Sequence, residues 1–258
     1  MFKFFRPLTL GLALAVWAGL AGAAQPPTAE DVLACVQDNL SSFAFHGEVE
    51  VETFRPEFSR AFVLEVWSAA DNERVMVRVL EPEDEAGSGY LLASRDELWF
   101  YAPAAGVAVA LPSASLSEAF FGTDVSVEDL YRGTLDETFS AELLGTRQAE
   151  GETVHRLRLL PGDEADVVYG RLELDVRDGD CALLRVDYFD QRDTLVRESL
   201  FSEFVTVEGA VFARRTVSND LLREGSYTEQ FLRSYEVGVP IPEARFTLDC
   251  LEDEARCG

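Results

Sequence analysis

Lysine is almost missing from this chain. Lys3 is the only one, and every later cation is an arginine. Histidine occurs twice and cysteine four times in 258 residues. No HExxH pair, Walker loop or dinucleotide fingerprint is present, so metallopeptidase, nucleotide and nicotinamide chemistry have no support. No serine sits in a Gly-x-Ser-x-Gly elbow, and Gly87-Ser88-Gly89 lacks that spacing. The cysteines form no CxxC pair, which leaves zinc and thioredoxin-like patterns unsupported. After the first 24 residues no apolar run approaches the roughly 20 residues that cross a bilayer as a helix.

What the chain has in abundance is negative charge. Forty-seven acidic residues against 22 basic ones give −25, and removal of Lys3 and Arg6 leaves −27. Such a surface repels phosphate backbones and anionic headgroups, so nucleic acid is not an expected partner. A lipid partner would have to be gripped by its tails. The simplest use of the charge is solubility.

Residues 1–24 have the anatomy of a secretory leader. Lys3 and Arg6 open it, an apolar stretch runs from Leu8 to Leu20, and Ala21-Gly22-Ala23 is a small-residue cleavage pattern. Cleavage is expected near Ala23-Ala24. Leu20-Ala21-Gly22 resembles the front of a lipoprotein box, but Ala23 stands where the lipidated cysteine would be. The mature chain, 25–258, is expected to be exported, untethered and a single domain. In an oxidising compartment Cys35, Cys181, Cys250 and Cys257 have three pairings open to them. Closeness in sequence favours Cys250 with Cys257, leaving Cys35 and Cys181.

One helix is clear, over 28–40. Thr28 can cap it with Asp31 reaching back, and Val32, Leu33, Val36 and Leu40 recur at helical spacing. Period two then takes over. Val49 and Val51 alternate with glutamates; Phe62, Leu64 and Val66 share a face, as do Val75, Val77 and Val79, and Leu172, Leu174 and Val176. Less regular strands are expected at 89–94, 97–102, 106–111, 140–146, 153–160, 181–189, 194–204, 210–217 and 226–236. A short helix is expected over 115–121, a second opening at the capping box Ser126 to Asp129, and a turn around 241–246. The fold class is mainly β: a curled antiparallel sheet of about 11–12 strands that stops short of a closed barrel, with helices over one face.

Residues with chemistry to offer are scattered. His155 lies within a strand and reads as a packing residue, and His46 has no companion. The carboxylates at 81–85 and 175–180 lack the EF-hand spacing. A glycosidase-like acid pair has no particular support. No catalytic residue, metal site or cofactor is expected. Aromatics crowd the first half, among them Phe54, Phe58, Trp67, Trp99, Phe100 and Tyr101. Ordinary core packing accounts for them, although a cavity for hydrocarbon would use the same residue types.

One stretch is more specific. Leu98-Trp99-Phe100-Tyr101-Ala102-Pro103 is followed, about twenty residues on, by Phe120-Phe121-Gly122-Thr123-Asp124-Val125-Ser126-Val127-Glu128-Asp129-Leu130. It resembles the LolA-like outer-membrane lipoprotein-sorting family, departing from its pattern where Val125 and Val127 replace aromatics. The resemblance implies an incomplete β barrel with a helical lid, a periplasmic location, and an apolar interior that shelters lipid or lipoprotein acyl chains. It further implies a monomer that meets an inner-membrane transporter or an outer-membrane acceptor. On that reading Phe62, Leu64, Val66, Val75, Val77, Val79, Trp99 and Tyr101 face the cavity, and Phe120, Phe121 and Leu130 belong to the lid. Two other readings stay open: a lipid-sensing or partner-docking module of the same fold, and an exported hydrolase.

Overall fold

The structure, a computed structural model, describes residues 26–257 apart from 42, 71–72, 95–96, 113–114, 116–117, 127–134 and 163–166. The leader at 1–24 and Leu130 lie outside the described residues.

Helix α1 (Ala29–Ser41) begins as its sequence requires. The Thr28 amide donates to Asp31 Oδ2 at 3.0 Å and the Asp31 amide donates to Thr28 Oγ1 at 3.1 Å, closing a capping box. Those bonds hold the Asp31 carboxyl below its ordinary range. Ala29, Val32, Leu33 and Val36 form the buried stripe.

Thirteen strands follow among the described residues, one or two more than expected. They are β1 (Phe45–Phe54), β2 (Ser59–Ser68), β3 (Val75–Glu81), β4 (Gly89–Ser94), β5 (Glu97–Tyr101), β6 (Val109–Leu111), β7 (Phe139–Ala149), β8 (Glu152–Pro161), β9 (Arg171–Arg177), β10 (Leu183–Phe189), β11 (Leu195–Val207), β12 (Ala210–Asp220) and β13 (Ser226–Val237). They make one antiparallel sheet in the order β6-β5-β4-β3-β2-β1-β13-β12-β11-β10-β9-β8-β7. It is an open, curled sheet with β6 and β7 as its edges. Two meanders meet at one seam, where Phe45 pairs with Val237 and Phe54 with Tyr227.

Three apolar clusters follow from the alternation of side chains. On the concave face, α1 lies over Leu157, Leu159, Leu172, Leu174, Val176 and Val186 of β8–β10. Also on that face, Val51, Phe62, Leu64, Val75, Val77, Val79, Leu92 and Leu98 of β1–β5 pack with Phe120. The third cluster is on the convex side of β2–β5, where Trp67, Met76 and Leu91 meet Phe246, Cys250 and Leu251 of the C-terminal segment. That segment holds the expected turn, at Glu243–Phe246, and then α3 (Leu248–Glu252). A four-residue helix, α2 (Leu135–Thr138), precedes β7.

Among the described residues the convex side of β8–β11 has no such cover and is charged instead. Arg156 donates to Glu173 and Asp175 at 2.9 and 3.1 Å and to Asp187 at 2.5 Å, while Arg147 reaches Asp175 and Arg185 reaches Asp187. Burial works against the charge on Arg156, but the three carboxylates outweigh it and raise its pKa. The two disulfides join Cys35 to Cys181 and Cys250 to Cys257.

Arg78 fixes the C-terminal segment. Its side chain is 6% exposed, and its guanidinium donates to the carbonyl of Cys250 at 2.6 Å, where α3 would otherwise leave that oxygen unpaired. Burial lowers its pKa, partly offset by Glu254. Arg78→Met is expected to cost about 1.5–3 kcal/mol, read as a lower urea midpoint with an unchanged slope. A loss below about 0.5 kcal/mol would show that water replaces the guanidinium.

The helix expected over 115–121 is not what its described residues form. Among the described residues, Ser115 is in a 3-10 turn and Phe120–Gly122 forms another. Phe121 takes a left-handed conformation at φ 47°, and Gly122 follows at φ 76°, a value its missing Cβ makes easy. The chain doubles back, so Phe120 N–H donates to the Val125 carbonyl at 2.8 Å and Ala119 bridges to Ser126. Ser126 was expected to cap a following helix; residues 127–129 of that box lie outside the described residues.

Candidate functional site

The concave face has a hollow between the parts covered by α1 and by the loop at 119–126. Its volume is about 240 Å³. β1, β2 and β3 supply Val49, Val51, Leu64, Val66, Val75 and Val77, and the far wall adds Phe201, Phe204, Phe212 and Leu232 from β11–β13. Val36 and Leu40 of α1 close it from above, with Phe120 and Thr123 of the loop. An apolar cavity of roughly 150 Å³ is known to stay dry and admit a hydrocarbon ring, so this one has room for more.

α1 is clamped across the hollow. The Cys35–Cys181 bond ties it to the turn before β10. Asn39 adds two bonds, donating from Nδ2 to the Asp180 carbonyl at 2.8 Å and accepting from the Val211 amide at 3.0 Å. In the same turn the guanidinium of Arg177 holds the Asp180 carboxyl low.

Past Thr123, at one end of the hollow, the concave face turns polar. Thr53, Thr228, Ser218 and Ser199 stand in register across β1, β13, β12 and β11, each at most 3% exposed. Their hydroxyls pair at 3.3 Å between Thr53 and Thr228 and at 2.8 Å between Ser199 and Ser218. Asp124 seals this end. It receives both guanidinium branches of Arg55 at 2.8 Å, with side chains 7% and 5% exposed, and the Thr228 hydroxyl at 2.8 Å. Arg197 donates to the Asp124 carbonyl at 2.7 Å and lies 3.7 Å over the Tyr188 ring. The loop is thereby fastened to the sheet through groups at most 7% exposed.

The opposite end is ringed by half-buried aromatics: Phe43, Phe45, Phe204 and Phe212, with Val237. Gly47 makes room there. A Cβ on it would fall 2.8 Å from the Phe45 ring and 2.5 Å from the Ser234 carbonyl. Phe212 meets Tyr235 edge to face at 5.3 Å.

Leu64, Val66, Val75 and Val77 line the hollow, and so does Phe120, which the resemblance places in the lid. Phe62, Val79 and Phe121 do not reach it. Phe121 packs at 5.2 Å on Phe62 and at 5.3 Å on Tyr90, and Phe120 lies 5.1 Å from Tyr90, an aromatic knot beside the hollow. Burial raises the Tyr90 phenol pKa. Trp99 and Tyr101 are corrected outright. The register pairs Leu98 with Leu92 and Phe100 with Tyr90 on the concave side, so Trp99 and Tyr101 point to the convex side and pack on the C-terminal segment. The half of the wall built from β11–β13 was missed. Its aromatics sit in strands whose alternation is broken, as at Glu203 with φ 57°.

The histidines have structural roles. His155, 4% exposed, joins Thr146 at 2.9 Å and Asp178 at 3.1 Å. His46 stacks on Trp67 and meets Glu65 at 2.8 Å on the convex side. Among the described residues no group of three or more His, Cys, Asp or Glu could hold a metal ion. No described helix is long and apolar enough to cross a membrane.

The same architecture occurs in solved structures. A DUF1329 family protein from Desulfovibrio piger superposes with a TM-score of 0.78 at 23% identity, over 86% of this chain and 97% of its own. A LolA superfamily protein from Nitrosomonas europaea gives 0.74 at 22% identity, over 86% and 99%. A domain from Vibrio parahaemolyticus named for outer membrane lipoprotein sorting gives 0.76 at 17% identity, over 87% and 98%. No curated protein matches the chain. The fold is thus LolA-like, an open curled sheet with a covered concave face. A family model carrying the description "Uncharacterized protein" matches residues 71–253, from just before β3 to the end of α3, and the chain belongs to that family.

Proposed function

We propose that this protein is an exported, periplasmic carrier that shelters the acyl chains of lipid or lipoprotein in the hollow of its curled sheet. The observation that carries the reading is the hollow itself: about 240 Å³, walled chiefly by Val, Leu and Phe, between an immobilised helix and a fastened loop. Each methylene moved there from water contributes roughly 0.8 kcal/mol, so a long chain gains enough to offset the ordering it suffers. No catalyst is needed for that task. The acidic exterior repels anionic bilayer surfaces, so the burial of tails inside the hollow supplies the bulk of the affinity. The outer-membrane sorting name of one structural neighbour supports cargo that is acylated.

Native mass spectrometry of the purified protein tests this, with titration of a fluorescent sixteen-carbon fatty acid. A stoichiometric lipid or acylated peptide is expected in the wild type. Val66→Trp, which places an indole in the hollow without adding charge, is expected to weaken probe binding about tenfold or more while the circular dichroism stays unchanged. A wild type that carries no lipid and shows no saturable binding would end the carrier reading. Transfer of labelled lipoprotein between membranes separates a carrier from a lipid-sensing module, which binds and does not deliver.

A further inference from the structure

Arginines in this chain rarely stand alone. Acidic residues outnumber basic ones 47 to 22, and most described guanidinium groups meet a carboxylate. Arg214 is an exception. It lines the hollow and forms no ion pair among the described residues. Its terminal nitrogen donates to the Leu232 carbonyl at 3.3 Å, its guanidinium carbon lies 5.0 Å from the centre of the Phe231 ring, and its Nε is buried without an acceptor. Of the described side chains with such an orphaned buried atom, Arg214 alone belongs to the wall of the hollow.

Its position has a structural cause. β12 and β13 are paired from Asp220–Ser226 up to Arg215–Phe231, where the recorded register ends. Beyond that point β12 continues with β11, to Ala210 opposite Val207, while β13 continues with β1, to Val237 opposite Phe45. The sheet forks, and Arg214 stands at the fork. Its guanidinium serves the Leu232 carbonyl that the divided ladder would leave open. One carbonyl is little for a group with five donors. A buried donor without an acceptor is costly, and an incoming anion would relieve it.

We propose that Arg214 is the headgroup site of the hollow and that the bound ligand is a long-chain amphiphile with an anionic head, a carboxylate or a phosphate. This rests on the carrier reading and deepens it. The head would pair with the guanidinium at the fork. The tail would run across β13, β1 and β2 toward Val75 and Val77 of β3, four strand spacings and roughly 19 Å along the sheet. The selectivity resides in one cation within an apolar wall, where a charge-assisted bond is stronger than in water.

The test compares hexadecanoate, hexadecyl phosphate and hexadecanol, which share a tail and differ in the head. Binding is measured by displacement of a neutral fluorescent lipid, for the wild type, Arg214→Leu and Arg214→Gln. The wild type is expected to bind at least one anion about tenfold to a hundredfold more tightly than hexadecanol. Preference between the two anions tells carboxylate from phosphate. Arg214→Leu is expected to lose that margin and keep its hexadecanol affinity, which also shows that the hollow is intact. Arg214→Gln keeps a donor for Leu232 without the charge and is expected to lose the margin too. Equal binding of all three ligands by the wild type, or an unchanged margin in both variants, would overturn the headgroup site and leave the carrier reading standing. Absence of binding by any of the three would overturn both.

Discussion

Asp124→Leu, with Arg55 left in place, is expected to destabilise the protein by about 3–5 kcal/mol. The reason is the guanidinium it strands. Arg55 is 7% exposed and has both branches on this one carboxylate, so its charge would remain buried with only main-chain carbonyls to face. Arg55→Leu is expected to cost a similar amount, because Asp124 would keep the Thr228 hydroxyl and lose its counter-ion. The double replacement with two leucines should recover most of the loss, since a buried pair repays little beyond its own desolvation. Urea denaturation of the four proteins gives the coupling directly, and a value well above 1 kcal/mol is expected. Strictly additive losses would show that the two residues act separately and that the loop is held by its other contacts.

Removing the Cys35–Cys181 bond ranks next. It closes a loop spanning 146 residues, for which the chain-entropy relation gives about 5 kcal/mol, against about 2.5 kcal/mol for the seven-residue span of Cys250–Cys257. A double serine replacement at 35 and 181 is therefore expected to lower the melting temperature by on the order of 10 °C, and the same change at 250 and 257 by about half as much. Calorimetry of the two variants reads the order. Equal shifts would mean that the long loop is already restrained in the unfolded chain, for instance by residual pairing of the early hairpins. The first variant has a second consequence under the carrier reading. Cys181 itself lines the hollow, and α1 would then rest on Asn39 and its apolar stripe.

Much of this architecture was legible before any coordinates. All four strongly alternating segments are strands. The capping box at Thr28 forms as its spacing required, with aspartate in the third position. The nine weaker strand segments are present as well, because turn residues bracketed them even where alternation was poor. The parity of strand faces was less legible. The family resemblance places Trp99 and Tyr101 on the hollow, yet a convex side covered by the C-terminal segment needs large apolar residues as much as the concave side does. A strand apolar on both faces gives no clue to which face is which. Phe62 and Phe121 show the converse, since they face the correct way but are consumed by contact with each other and with Tyr90.

The polar end was invisible for a different reason. Thr53, Ser199, Ser218 and Thr228 are small, and alternation with larger neighbours makes them read as a solvent face. They are among the most buried polar residues described, and a loop distant in sequence bonds to Thr228 through Asp124. The Gly122-Thr123-Asp124 turn was singled out by its resemblance to a family motif. The structure supplies the physics behind it: a left-handed Phe121, a glycine that continues the turn, and an aspartate that finds the arginine following β1. Nothing in the residues between 55 and 124 announces that pairing.

The seam between β1 and β13 bears on how the molecule is made. Every other pairing in the sheet joins strands consecutive in the chain, so each can zip locally as it appears. The seam joins residue 45 to residue 237 and must wait for almost the whole polypeptide. Through that interval β1 is a bare edge, the situation in which hydrophobic strands recruit neighbouring molecules into aggregates. Its outward row is Glu48, Glu50 and Glu52. Three negative charges along an unfinished edge repel another copy of the same edge, and Arg233, which arrives with β13, meets Glu50 at 3.0 Å when the correct partner docks. The glutamates that look like ordinary surface in the finished protein would thus act earlier, as guards on a strand that waits for its mate.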